Sequence, residues 1–290
     1  MKIAGYEIIP LHTGSFKLDG GAMFGVVPKP LWERQCLADS QNRIQMMTRA
    51  LLLKTQNRNI LIDAGIGNKD GKKFQEIFDI SFPQGSIVDE LARHDVTPDQ
   101  VTHVVYTHLH FDHAGGTTVF HDGESVPLFT KAKHYVQGAQ LQHGLSRNPR
   151  DRASYIDANY VPVREAGLLE ILDSDTELLP GLFLETTSGH TPALQMIRIT
   201  NGPRTMFYPS DLIPLAAHVA LPYIMGYDLF PLTTLNDKSY WLERAAEEKW
   251  IIILQHDPNV EAFTVRRDEK NRIVIDKTGT IEGLAGIGDA

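Results

Sequence analysis

Residues 104–116, VVYTHLHFDHAGG, carry the densest group of metal-binding side chains in this 290-residue sequence. The apolar start of this stretch leads into His108, His110, Asp112 and His113. Imidazole and carboxylate are ligands that zinc and its neighbours prefer. Alternate side chains of an extended segment share one side, and the following Gly-Gly lets the chain turn for the last ligand. One ion cannot comfortably take all four ligands from so short a loop, so the spacing predicts two adjacent ions. The alternative is a polar loop with histidines placed by chance, which the density of the cluster disfavours.

The pattern H-x-H-x-D-H followed by Gly-Gly, after an apolar strand, resembles the signature of the metallo-β-lactamase superfamily. The resemblance implies an α/β fold, namely an αββα four-layer sandwich with two mixed β-sheets and outer helices. It also implies three further ligands in chain order. His190 in SGHTP, Asp211 in FYPSD and His256 in QHDP match these positions.

The resemblance implies two metal sites that share a bridging carboxylate. The first site would consist of His108, His110, His190 and Asp211. The second site would consist of Asp112, His113, His256 and Asp211. The expected cofactors are two Zn²⁺ ions, with Fe, Mn or Co as other possibilities. Asp63 in LIDAG matches a strand-end Asp that supports the metal loop in this family, although a turn-capping role fits its sequence equally well.

The expected activity is hydrolysis. Two ions about 3.5–4 Å apart can share a water whose pKa falls toward ~7. The resulting metal-bound hydroxide would attack an ester, lactone, amide or phosphoryl centre. In this scheme Asp112 and Asp211 are the catalytic residues: both are expected ligands, and Asp112 would also help to hold the nucleophile or take a proton.

Within the superfamily, the sequence most resembles the acyl-homoserine-lactone lactonases and the methyl parathion hydrolase-like enzymes. Residues 20–25, GGAMFG, followed by Pro28, resemble the long N-terminal arm of that branch. Many lactonases place a catalytic Tyr three residues after the bridging Asp, where this chain has Pro214. The function of that Tyr is then either absent or supplied by another group, such as Tyr223 or Tyr227. A quorum-quenching lactonase is still the main prediction, and Pro214 keeps an organophosphate hydrolase open as an alternative beside a glyoxalase-II-like thioesterase.

A hypothesis from another functional class is a binding protein with a relic metal site. The complete set of seven ligands argues against this hypothesis.

The bulk composition, 42% hydrophobic and 22% charged residues, is that of a globular protein. The net charge of −8 argues against a nucleic-acid partner, so a small-molecule substrate is expected. The sequence shows no signal peptide and no membrane segment, which predicts a cytoplasmic protein without a membrane partner. The single cysteine, Cys36, excludes an intrachain disulfide. A homodimer is a further possibility.

The predicted organisation is a single metallo-β-lactamase-fold domain over residues 1–290. It has an N-terminal arm at about 14–45 and a partly helical insertion at about 137–170. Phe24 and Trp32 in the arm would either wall a substrate pocket or pack in the core. His218 and Tyr223 are also candidates to line the pocket.

Hydrophobic periodicity and turn signals predict the remaining elements. Strands are expected at residues 6–11, 101–106, 132–136 and 250–255. Hairpins are expected at residues 50–63, 195–209 and 261–276. Helices are expected at residues 86–94 and 235–249, with a short helical turn from Pro98.

Overall fold

Strands dominate the computed structural model, which describes residues 1–146 and 148–286. The strands are β1 Lys2–Ile3, β2 Tyr6–Asp19, β3 Arg43–Lys54, β4 Asn59–Ile62, β5 His103–Val105, β6 Thr118–His121, β7 Glu124–Pro127, β8 Lys133–Gln137, β9 Leu169–Leu172, β10 Thr176–Leu179, β11 Leu182–Thr187, β12 Leu194–Thr200, β13 Thr205–Tyr208, β14 Ile251–Ile253, β15 Ala262–Arg267 and β16 Ile273–Gly279.

The α-helices are mostly short. They are α1 Gly20–Phe24, α2 Lys29–Trp32, α3 Lys72–Phe78, α4 Ile87–Ala92, α5 Phe111–Ala114, α6 Gly138–Ser146, α7 Val161–Glu165, α8 Pro231–Glu248 and α9 Ile281–Ala285. Among the described residues, none of the helices combines the length and the apolar composition that crossing a membrane requires.

The chain separates into two compact units, and two of the four boundaries between them fall within the long strands β2 and β3. The first unit comprises Gly5–Phe16 and Met47–Ser174. The second unit comprises Met1–Ala4, Lys17–Met46 and Asp175–Ala290. The single domain over residues 1–290 stays a prediction.

One large mixed sheet has the strand order β1-β2-β3-β4-β5-β8-β9. β3 and β4 form the predicted antiparallel hairpin, whereas β4, β5, β8 and β9 run parallel. The carboxyl ends of β4 and β5 therefore lie at one edge of the sheet, where Asp63 follows the first of them and the H-x-H-x-D-H segment follows the second. Leu61 and Val104 on these strands are fully buried in the first unit's apolar core.

The second large sheet is also mixed, with the order β10-β11-β12-β13-β14-β15-β16. β13 and β14 are parallel, and the other neighbouring strands of this sheet pair antiparallel. Helix α8 packs on this sheet through Trp241, whose ring stacks on Phe207 of β13 at 5.2 Å between centroids. The second unit has its own buried core around these two side chains.

Most predicted elements are confirmed. The hairpins at β3–β4, β12–β13 and β15–β16 form as the turn signals indicate. Ser86 begins α4 with a capping box, because its hydroxyl accepts from the Asp89 backbone N–H and its own backbone N–H donates to the Asp89 carboxylate. Helix α8 starts four residues earlier than predicted, with Pro231 in its first turn.

Two parts of the secondary structure differ from the prediction. The arm predicted at about 14–45 begins as a strand, because β2 continues to Asp19, with Phe16 buried between the half-buried Ser15 and Lys17. The hairpin β6–β7 was not predicted, although Asp122-Gly123 is a strong hairpin signal and both residues have a positive φ, 49° and 90°. The predicted helical insertion at about 137–170 contains α6 and α7.

The arm packs by aromatic stacking within the second unit. The ring of Phe24 lies between Trp32, at 5.2 Å and 9°, and His218, at 5.0 Å and 10°. A Cβ at Gly20 would lie 2.4 Å from the Trp32 ring, so only glycine fits at that position. All three stacked side chains are buried. The structure therefore favours the core-packing interpretation of the arm aromatics.

Candidate metal centre

In the first unit, the predicted ligands occupy the turn that follows β5. His110 precedes the one-turn helix α5, which carries Asp112 and His113. All four side chains from His108 to His113 are buried. Nε2 of His108 lies 3.0 Å from Nδ1 of His110, and Nε2 of His113 lies 3.7 Å from a carboxylate oxygen of Asp112. The structure thus brings four metal-binding groups together in pairs.

Asp63 supports this turn from the neighbouring strand. Its carboxylate accepts hydrogen bonds from the Thr107 backbone N–H and hydroxyl, both at 2.7 Å, and lies 3.0 Å from Nδ1 of His113. Its backbone adopts φ 56°, and the next residue's N–H donates to the His113 carbonyl. A carboxylate on Nδ1 fixes the imidazole tautomer that presents Nε2 as a lone pair. These contacts favour the supporting role of Asp63 over simple turn capping.

An aromatic cluster surrounds Phe111, which lies between two of the predicted ligands. Phe74 and Phe78 of α3 contact its ring at centroid distances of 5.2 and 4.8 Å, and Phe16 contacts it at 6.3 Å. Helix α3 contains no buried residue, so Phe74 and Phe78 keep part of their surface open to solvent. An apolar surface therefore begins one residue away from His110.

In the second unit, three strands deliver the downstream ligands to one edge of the sheet. β11 and β13 both run antiparallel to β12, and β14 is parallel to β13, so the carboxyl ends of all three coincide. His190 follows the first, Asp211 the second and His256 the third. The sheet topology therefore assembles residues that are far apart in sequence.

Asp211 lies between the two histidines of this unit. One carboxylate oxygen is 3.2 Å from Nε2 of His190, and the other is 2.9 Å from Nε2 of His256. All three side chains are buried. A carboxylate whose two oxygens face two different imidazoles has the arrangement of a ligand that bridges two cations.

Each of these two histidines has a neighbouring Asp in the second unit. Nδ1 of His190 lies 2.8 Å from a carboxylate oxygen of Asp228. Asp257 folds the turn after His256, because its carboxylate accepts from the backbone N–H groups of Asn259 and Ala216. Sequence analysis did not identify either Asp. Nothing in their spacing marked Asp228, whereas Asp257 directly follows a predicted ligand.

The donor groups fit divalent metal ions. Buried imidazole and carboxylate groups are the ligands that zinc and its neighbours take, and here the Nδ1 atoms of His113 and His190 face carboxylates. Such packing of carboxylates and imidazoles away from water is costly unless a cation or protons neutralise it. Each unit therefore holds His and Asp groups suited to metal binding.

Comparison with known proteins identifies the family to which this chain belongs. The family model of the metallo-beta-lactamase superfamily matches residues 44–256. A probable metal-dependent hydrolase from Staphylococcus aureus has a TM-score of 0.88 and 32% sequence identity, covering 97% of this chain and 99% of that chain. This chain belongs to the metallo-β-lactamase superfamily. Its fold is the predicted α/β class, with two large mixed sheets flanked by helices.

Members of this superfamily that are similar to the chain include lactonases. An N-acyl homoserine lactonase from Bacillus thuringiensis is 27% identical over 224 residues, which are 71% of this chain and 79% of that protein. The match to an N-acyl homoserine lactonase from Bacillus cereus, also 27% identical, covers 54% of this chain and 60% of that protein. AidC, a dizinc quorum-quenching lactonase, has a TM-score of 0.77 at 16% identity, covering 97% of each chain, which shows a shared fold alone.

The remaining sequence candidates lie in the segment after Asp211. Pro214, at the position of the lactonase Tyr, is buried, and its carbonyl accepts the His256 backbone N–H at 3.3 Å. His218 is fully buried and donates from Nε2 to the Met23 carbonyl at 2.8 Å, which leaves it little surface for a substrate. Tyr223 is half-buried, and Tyr227 is 36% exposed. A role for either Tyr in place of the lactonase residue stays a prediction.

Proposed function

We propose that this protein is a dinuclear metal-dependent hydrolase that opens lactone rings, with N-acyl homoserine lactones as the substrate class. The observation that carries the proposal is Asp211, whose two carboxylate oxygens face the Nε2 atoms of His190 and His256. The lactonase relatives support the substrate class.

The proposed ligand sets follow the sequence prediction. One ion would be held by His108, His110, His190 and Asp211. The other would be held by Asp112, His113, His256 and Asp211. Zinc is the proposed metal, because three or more imidazole and carboxylate groups per site are its usual protein ligands. When bound, two such ions supply Lewis-acid activation of the substrate carbonyl and an activated water.

The chain's own residues would position the reaction. Asp63 holds the His113 ring, and Asp211 fixes the separation of two imidazoles by contacting both. Asp112, which lies 3.7 Å from His113, would hold the attacking water or take its proton. Burial of these groups strengthens their electrostatic interactions, because water screens them less.

The aromatic cluster supports a substrate with an apolar part. Phe74, Phe78 and Phe111 offer a partly exposed apolar surface beside the proposed ligands. An acyl chain would bury this surface, at roughly 0.8 kcal/mol for each CH₂ removed from water. Longer acyl chains are therefore expected to lower KM.

Pro214 favours a second candidate, a phosphotriester hydrolase. Proline has no hydroxyl to stabilise the oxyanion that a lactone carbonyl develops, and its ring takes the position where lactonases have Tyr. Two metal ions can polarise a phosphoryl oxygen as they can a carbonyl oxygen, so the same site could act on a phosphotriester. A glyoxalase-II-like thioesterase, a homodimer and a cytoplasmic location also remain predictions.

Metal analysis and a substrate panel test the proposal together. We expect close to two ions per chain. We also expect N-acyl homoserine lactones to be hydrolysed faster than thioesters, phosphotriesters and β-lactams. His110→Ala should lower the metal content and abolish turnover, whereas His121→Ala, at an exposed His of the same unit, should change neither. Phosphotriester turnover exceeding lactone turnover would select the second candidate. Two bound ions without hydrolysis of any panel substrate would contradict both.

A further inference from the structure

The side chain of His190 is held from both ring nitrogens. Nδ1 faces Asp228 at 2.8 Å, and Nε2 faces Asp211 at 3.2 Å. Asp228 is only 2% exposed, although it is a charged side chain on the segment that leads into α8. A buried carboxylate is costly unless a specific group compensates its charge, and the Asp228 carboxylate faces the His190 imidazole. The Asp228 carboxylate therefore lies within hydrogen-bond distance of one proposed metal ligand, His190.

The backbone beside Asp228 also holds the His190 loop. The N–H of Leu229 donates to the His190 carbonyl at 3.1 Å, and the N–H of Phe230 donates to the Gly189 carbonyl at 2.8 Å. A Cβ at Gly189 would lie 2.3 Å from the Thr234 hydroxyl, so the loop approaches α8 more closely than any other residue would allow. Asp228 and the His190 loop thus keep a fixed relative position.

Lys238 of α8 fixes the segment on the other side of Asp228. Its side chain is completely buried, and Nζ donates to the carbonyls of Tyr223 at 2.7 Å and Ala220 at 3.2 Å. The ammonium also interacts electrostatically with Asp228. A buried cation that ties down the preceding turn and attracts the carboxylate limits where that carboxylate can move.

We infer that Asp228 is a positioning residue for His190. Its carboxylate accepts a hydrogen bond from Nδ1–H of the imidazole, so that the Nε2 lone pair points at the metal. The inference rests on the proposed dinuclear site. It gives each ligand set its own buried orienting carboxylate, Asp63 for His113 and Asp228 for His190. Partners of this kind typically change metal affinity by about 10–100-fold when they are removed.

A different role would be purely structural. Asp228 would then pin the segment before α8, and its loss would lower the melting temperature without a selective effect on metal binding. Asp237 provides a matched control for this possibility. Asp237 is a carboxylate of α8 that accepts a hydrogen bond from the Thr187 hydroxyl, at the end of the strand before the His190 loop, rather than from the imidazole.

The test compares the wild type with Asp228→Ala, Asp228→Asn, Asp63→Asn and Asp237→Asn. Zinc affinities of the two sites are measured by competition with a chromophoric chelator, and metal-free proteins are compared by thermal melts. We expect Asp228→Ala to lower the affinity for one of the two ions by about 10–100-fold. Asp228→Asn keeps an acceptor oxygen and should lose less. Asp237→Asn should bind both ions as the wild type does.

Cobalt substitution identifies the affected site. Asp228→Asn should alter the ligand-field absorption of one Co²⁺ and Asp63→Asn that of the other. Unchanged affinities in Asp228→Ala together with an unchanged Co²⁺ spectrum in Asp228→Asn would overturn the inference, as would an equal loss of affinity in Asp237→Asn. Failure of the wild type to bind two ions would instead overturn the proposed function, so the two failures are distinguishable.

Discussion

Single carboxylates determine how the histidines of this protein are presented. Asp211 contacts two imidazoles at Nε2, whereas Asp63 and Asp228 each contact one at Nδ1. The first arrangement suits a bridging ligand and the second an orienting partner. The chemistry of a residue in this site therefore depends on which ring nitrogen it faces, and substitutions at these positions should have different consequences.

Substitution of Asp211 should affect both metal ions, whereas substitution of His190 should affect mainly one. Asp211→Ala removes a contact to two imidazoles, so both zinc affinities should fall and turnover should be lost. His190→Ala should release about one ion per chain. Metal content after dialysis against a weak chelator measures both effects. Two retained ions and normal turnover in Asp211→Ala would show that the downstream ligands are assigned wrongly.

His134 should make the first unit sensitive to acid. It is completely buried, with Nε2 donating to the Phe129 carbonyl and Nδ1 accepting from the Tyr106 hydroxyl. Burial lowers its pKa to about 4 from an ordinary value of 6.5. The unfolded chain therefore binds this proton first, and the stabilisation, present above pH 6.5, is lost as the pH falls toward 4.

Over this range we expect a loss of about 3 kcal/mol in the free energy of unfolding from this residue. Denaturant unfolding of metal-free wild type and His134→Gln at pH 7, 5.5 and 4 isolates the contribution of His134 to the free energy of unfolding, because other groups titrate equally in both proteins. Glutamine can replace both hydrogen bonds but does not titrate. Parallel pH profiles for the two proteins would rule out this role.

At the scale of elements, aromatic stacking joins α1 and α2 of the arm to the rest of the second unit. Phe24 has Trp32 on one face and His218 on the other, with Tyr223 edge-on at 5.8 Å. Burial also lowers the pKa of His218 to about 4, so the ring that stacks on Phe24 is neutral at pH 7. The arm is thereby a part of the core rather than an appendage.

Phe24→Ala should lower stability more than it changes substrate choice. Removal of a buried phenyl ring leaves a cavity and costs about 3–5 kcal/mol. Thermal melts together with KM values for short-chain and long-chain lactones measure the two effects. Leu37→Ala, at an arm residue that is 85% exposed, serves as the control and should be neutral. A stable Phe24→Ala enzyme with an altered substrate profile would favour the pocket interpretation instead.

For the whole molecule, the proposed ligands extend over much of the chain, from His108 to His256. An ion bound by residues so distant in sequence favours the folded chain, because the unfolded chain rarely holds them together. The gain grows as RT ln(1 + [L]/Kd), which is about 4 kcal/mol at a thousandfold excess over Kd. Metal loading and global stability should therefore be coupled.

Chelation should lower the melting temperature of the wild type and have little effect on Asp211→Ala. The variant should already have lost most of its metal, so no ion remains to be removed. Thermal melts with excess zinc and with chelator give the difference for each protein. Release of both ions without a change in the wild-type melting temperature would contradict the coupling.

Local sequence determined the elements whose signals lie within a few residues. The turns after β3 and β12, the capping box at Ser86 and the H-x-H-x-D-H segment after β5 all depend on near neighbours. Their geometry follows from backbone preference and side-chain spacing, so it can be predicted without knowing the fold. Family resemblance then supplied His190, Asp211 and His256 as ligands to be tested.

Family resemblance offered Asp63 as a support for the metal loop, but only the tertiary structure decided between that role and turn capping, and only it identified Asp228. Asp228 reaches His190 across 38 positions of the chain, and Asp63 reaches His113 across 50. Burial of Phe24 likewise depends on His218, whose imidazole donates to the Met23 carbonyl 195 positions away. Such pairs form because the order of strands in each sheet and the packing of helices on it close long loops. No spacing in the sequence records that closure.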